Sequence, residues 1–164
     1  MNRLLFVTAA LLFFLPTTTM LHAEASLPLS LGQTLYVPAY SHIYHGNKET
    51  PLLLSVTLSI RNIDPQNPLT ITTVNYHETN GALVKDYLPE PTVLSPLGSI
   101  RFVVPQRDNS GGSGANFMVT WSARQPTNPP IAESVMIGTQ SQLGISFTSR
   151  GRVVTEHPLP PAKP

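Results

Sequence analysis

Residues 52–61 read LLLSVTLSIR. Leu52, Leu54, Val56, Leu58 and Ile60 alternate with Ser55, Thr57, Ser59 and Arg61 in a strict period of two. Successive side chains of a strand point to opposite faces, so this stretch is expected to be a half-buried strand with one face on a core. Asp64-Pro65-Gln66-Asn67-Pro68 must then be a turn, because two prolines and two turn-forming residues cannot continue a hydrogen-bonded ladder. Alternation resumes at Leu69-Thr70-Ile71-Thr72, but Val74 and Tyr76 carry the apolar beat on the opposite parity. A β-bulge near Thr72-Thr73 reconciles the two phases. Asn80-Gly81 is expected to supply the two positive φ angles of a tight hairpin into a strand over residues 82–88.

The rest of the chain repeats this grammar. Pro96-Leu97-Gly98 turns into a strand over residues 99–104, and Ser110-Gly111-Gly112-Ser113-Gly114 reads as a flexible loop. Phe117, Val119 and Trp121 alternate with Met118, Thr120 and Ser122, placing the single tryptophan on a buried face. Residues 125–130 form a proline-rich connection, and 131–139 and 144–148 are two more short strands. No helical stripe interrupts them. Short strands separated by turn signals predict an all-β fold, a single Ig-like β-sandwich of about seven strands.

The flanks carry different information. A basic start at Arg3, an apolar run from Leu4 to Leu15 and the small residues of Ala23-Glu24-Ala25 form the pattern of a cleaved secretory signal peptide over residues 1–25. The alternative is a retained anchor, but the run falls short of the roughly 20 residues a spanning helix needs. The expected domain then covers residues 26–155, with a disordered proline-rich tail over 156–164. A protein released to the periplasm or the exterior meets an oxidising compartment. With no cysteine, this one must hold together by packing alone.

Charge narrows the partners. Charged residues make up 12% of the chain and the net charge is +1, with no basic run for a phosphate backbone, so nucleic acid is a poor partner. The mature chain is expected to have no membrane span. Positive charge gathers late, at Arg101, Arg107, Arg124, Arg150, Arg152 and Lys163, against Asp108, Glu133 and Glu156. Such a bias reads either as a solvated surface or as a shallow anion-binding face.

Several residues invite a chemical reading. Residues 40–46, YSHIYHG, hold two of the five histidines. On a strand His42 and His45 point to opposite faces, so a shared ion would need a turn at Tyr44-His45-Gly46-Asn47 and a third ligand such as His77. The GGSG loop lacks the G-x-S-x-G of a hydrolase elbow and the Gly-Lys-Ser/Thr of a phosphate loop. Its backbone amides, with Ser110, Ser113 and Asn116, are candidates for binding a ligand. Arg150 and Arg152 flank Gly151 in SRGR and could present two guanidinium forks to an anion, or simply protect an edge strand. Asp64, Glu78, Asp86, Glu90 and Glu133 are the carboxylates available for paired acid–base chemistry, and the sequence brings no two of them together.

The phrases YSHIYHG, LSIRN, GGSGANFMVTW and VMIGTQSQLGISFTSRG, in this order, resemble a bacterial family of secreted proteins, domain of unknown function 3124, over roughly residues 35–154. The resemblance implies one small exported domain and carries across no catalytic residue and no cofactor. Two readings follow. One is an exported non-catalytic binding or accessory module whose partner is an unknown protein or an anionic envelope ligand. The other is a periplasmic copper- or zinc-binding protein using His42, His45 and His77.

Overall fold

The computed structural model describes residues 28–139 and 144–157. The expected signal peptide and residues 158–164 lie outside the described residues. Twelve strands form among those described: β1 (Ser30–Pro38), β2 (His42–Tyr44), β3 (Pro51–Leu53), β4 (Ser55–Arg61), β5 (Leu69–His77), β6 (Leu83–Asp86), β7 (Thr92–Leu94), β8 (Ser99–Val104), β9 (Asn116–Thr127), β10 (Ile131–Gly138), β11 (Ile145–Arg150) and β12 (Arg152–Glu156). The protein is all-β, with no helix among the described residues. The expectation of about seven strands was too low. β1, β2, β3, β7 and β12 are short, or interrupted by Gly, Pro or buried polar residues, and so lack the alternating signal.

The strands form a large sheet in the order β12-β1-β9-β5-β6, with β7 also on β5, a four-stranded sheet β11-β10-β4-β8, and the small pair β2-β3. Every pairing is antiparallel. The alternating face of β4 supplies Val56, Leu58 and Ile60, all fully buried. From the large sheet come Val37 of β1, Ile71, Val74 and Tyr76 of β5, and Phe117, Val119 and Trp121 of β9, joined in the same apolar cluster. Each such side chain taken from water contributes roughly 1.5–3 kcal/mol, which is what holds a chain without disulfides together.

Two irregularities keep that cluster continuous. The register of β5 against β9 slips between Ile71 and Thr73, so Thr72 is the expected bulge, and its hydroxyl donates to the Thr120 carbonyl at 3.1 Å. The β5–β6 hairpin departs from expectation. Gly81 alone has positive φ, at 90°, and the turn closes from Gly81 N to the Glu78 carbonyl at 2.8 Å. It is a longer turn with one left-handed residue, capped by the Asn80 side chain accepting from Ala82 N at 2.9 Å.

The SRGR segment is not a turn. β11 pairs with β10 in the four-stranded sheet and β12 with β1 in the large one, so the chain changes sheets at Gly151. A Cβ there would lie 3.0 Å from Val37 Cγ2 and 3.1 Å from the Ala132 carbonyl, so the crossing packs backbone against both sheets. β12 continues through Glu156, one residue past the expected domain end at 155, because the Glu156 carboxylate accepts from Ser30 Oγ and from Gln33 Nε2 at 2.7 Å. β9 likewise runs to Thr127, through Pro126, into the stretch expected to be connection.

Candidate functional site

The outer face of the four-stranded sheet gathers charge by register. Inward residues of β4 fix its parity, so Ser59 and Arg61 point outward. In the neighbouring strand β8, Arg101 stands opposite Ser59 and Ser99 opposite Arg61. The result is a two-by-two pattern with arginines on one diagonal and serines on the other. Diagonal neighbours of an antiparallel pair sit about 7–8 Å apart, within mutual reach of long side chains. The four residues, with Ile100 and Val103, line an open depression of about 540 Å³. Arg61 is oriented rather than loose, since its Nε donates to Ser59 Oγ at 3.1 Å and its guanidinium lies 3.7 Å from Glu133.

The row extends across the sheet. Glu133 of β10 pairs with Ser59 on one side and with Arg150 of β11 on the other. Arg150, Glu133, Ser59 and Arg101 therefore form one line over four strands. Among the described residues no carboxylate lies within 4 Å of the guanidinium of Arg101 or Arg150. Two arginine forks beside two hydroxyls can bind a carboxylate, sulfate or phosphate through charge-assisted hydrogen bonds. Arg152 takes no part, because it pairs with Tyr36 in the large sheet. The sheet change at Gly151 carries Arg150 and Arg152, whose two forks could have met one anion, into different sheets.

The GGSG loop is pinned rather than flexible. Gly112 N donates to the Asn109 carbonyl at 3.2 Å and Gly114 N to Thr79 Oγ1 at 3.0 Å. The Gly111 carbonyl accepts both Thr79 N and Thr79 Oγ1, and the Gly112 carbonyl accepts Ser41 N. A Cβ on Gly111 would fall 2.0 Å from the Tyr76 hydroxyl oxygen, so only glycine fits. That hydroxyl shares a 2.8 Å hydrogen bond with Ser41, and burial pushes its pKa up. Of the candidate residues here, Ser110 is tied to Asp108 Oδ1 by both its N–H and its hydroxyl. Ser113 is half-buried, and Asn116 is buried between Pro38 and His77. The Gly112 and Gly114 amides are therefore bonded within the fold and are not open to a ligand.

The histidines sit in different surroundings. His42, in β2, meets the Tyr44 ring edge-on at 5.5 Å, as the shared strand face requires. His45 begins the Gly46-Asn47 turn, with its N–H bonded to the Thr50 carbonyl, and His77 Nδ1 lies 3.0 Å from the Gly81 carbonyl in the β5–β6 hairpin. Among the described residues no three His, Cys, Asp or Glu side chains are grouped to hold a metal ion.

Asp64, in sequence a turn residue and one of the available carboxylates, is an elaborate polar site in the fold. Oδ1 accepts the N–H groups of Gln66 and Asn67, and Oδ2 accepts Thr127 Oγ1, Asn128 N and Asn128 Nδ2, at 2.7–3.1 Å. The Asn128 N–H, then the Thr127 hydroxyl and the Gln66 and Asn67 N–H groups, hold its carboxyl well below the usual carboxylate range. Asn62 extends the knot, donating to the Asn67 and Ser95 carbonyls. A carboxylate so occupied is a clasp for loops rather than a proton donor.

Fold and face together define a small all-β protein with an arginine- and serine-lined sheet surface. The chain belongs to the family described as "Protein of unknown function (DUF3124)", whose model matches residues 32–154. Among curated proteins none matches. The crystal structure of Thermotoga maritima 1070 superposes with a TM-score of 0.45 at 11% identity, covering 76% of this chain and 97% of that one, too distant to bear on either fold or function. No helix among the described residues is long and apolar enough to cross a membrane.

Proposed function

We propose that this is an exported, non-catalytic binding module, built as an Ig-like β-sandwich, that recognises an oxyanion-bearing ligand of the cell envelope. The pattern over residues 1–25 supports export to the periplasm or beyond. Two antiparallel sheets sharing one apolar cluster, with the chain passing between them, support the sandwich. One observation carries the binding reading: Arg61 and Arg101 lie diagonal to each other beside Ser59 and Ser99 on an outward sheet face. Strand positions hold such a constellation more firmly than loops do.

Calorimetric titration with inorganic sulfate and phosphate tests it. Saturable binding is expected, weakened at least tenfold in the Arg61→Ala/Arg101→Ala double variant, since one hydrogen bond to a charged group contributes about 1.5–3 kcal/mol. Absence of binding, or equal binding by the double variant, would refute the reading.

A further inference from the structure

Resting on that reading, the geometry points to the class of ligand: a linear acidic polysaccharide lying across the strands from Arg101 to Arg150. The line Arg101–Ser59–Glu133–Arg150 crosses three inter-strand steps, so its terminal Cα atoms are about 14 Å apart by the usual spacing of about 4.8 Å. Arg61 and Arg101 both neighbour Ser59 in the register, where the first anionic group is placed. Arg150 stands two strands beyond Ser59, on the far side of Glu133, and is reached by a second anionic group on the same ligand.

The centre of the row disfavours a ligand with a dense run of negative charge. Glu133 is a carboxylate whose side chain is 20% exposed, so the face alternates cation, hydroxyl, anion and cation. A polyphosphate, or a membrane surface dense in phosphate, would set a negative charge over Glu133, where like charges repel. An acidic polysaccharide carries neutral hydroxyl groups between its charges, and a sugar hydroxyl can donate to Glu133 and to the serine oxygens. The same carboxylate lies 3.7 Å from the Arg61 guanidinium and offsets part of its charge, which leaves Arg101 and Arg150 as the forks with no carboxylate within 4 Å among the described residues. The row runs across the whole sheet and ends at its two edge strands, β8 and β11, so an extended ligand can continue past either end.

Binding of galacturonate and of its oligomers of increasing length, alongside inorganic sulfate and phosphatidylglycerol-containing vesicles, decides this. Affinity should rise at least tenfold from monomer to an oligomer that spans the row, and then level off. Arg150→Ala should remove most of that gain while leaving sulfate binding unchanged. Glu133→Ala should weaken the long oligomer and strengthen vesicle binding. If sulfate binds through Arg61 and Arg101 but oligomers bind no tighter than the monomer, the polysaccharide inference fails and the anion face stands. If Glu133→Ala strengthens binding of the long oligomer as it does that of the vesicles, Glu133 accepts no sugar hydroxyl and the inference is likewise wrong. If nothing binds, both fall.

Discussion

At the scale of single residues, two buried side chains carry unequal shares of legibility. Trp121 was placed by parity alone, and it lies fully buried beside Phe117 and Val119. Its Nε1 has no hydrogen-bond acceptor among the described residues, so its contribution is volume and apolar area. Trp121→Ala should cost about 3–5 kcal/mol by opening a cavity, read as a lower urea midpoint at unchanged slope. Asp64 was not legible, because its donors come from residues 66–67 and 127–128, and no local pattern announces a contact across sixty residues. Its carboxyl ionises well below the ordinary 3.8, so between the two values the unfolded chain binds more protons than the folded one. The stabilisation is therefore complete above the unfolded value and is lost as pH falls toward the folded one. Asp64→Asn should unfold at lower urea near neutral pH, and should lose less of its remaining stability than the wild type when taken to about pH 3. An equal acid loss in both proteins would show that Asp64 is not the clasp.

Elements divide in the same way. β4, β5 with its bulge at Thr72, and the core of β9 were readable because each alternates over five or more residues against an apolar core. β1 was missed because buried Gln33 stands where an apolar residue would keep the beat of Leu35 and Val37. β12 was missed because all five of its residues are exposed, and it belongs to the sheet through its backbone. The GGSG loop shows the opposite error, since glycines that suggest freedom are there for close approach. Gly111→Ala should destabilise by about 1–3 kcal/mol through overpacking against Tyr76. Combined with Tyr76→Phe the loss should be less than additive, since the phenylalanine lacks the oxygen nearest the new methyl. Strict additivity would mean that the loop yields elsewhere.

For the whole molecule, the late positive charge noted along the chain resolves into distinct places. Arg101 and Arg150 join Arg61 on one sheet, while Arg152 is carried to the other by the change at Gly151. Sequence shows the bias but not the face, because register sets which side chains become neighbours and hydrogen bonding between distant strands sets register. If this face binds anions as proposed, its residues lie on strands over a packed core, and the ligand should leave the fold unchanged. The most direct test is a titration of the isotopically labelled protein with inorganic sulfate, followed through backbone amide and arginine Nε–H resonances. Saturable shifts centred on Ser59, Arg61, Ser99 and Arg101, and absent from the Arg61→Ala/Arg101→Ala variant, are the predicted result. Shifts that do not saturate, or that centre on the GGSG loop instead, would contradict the account.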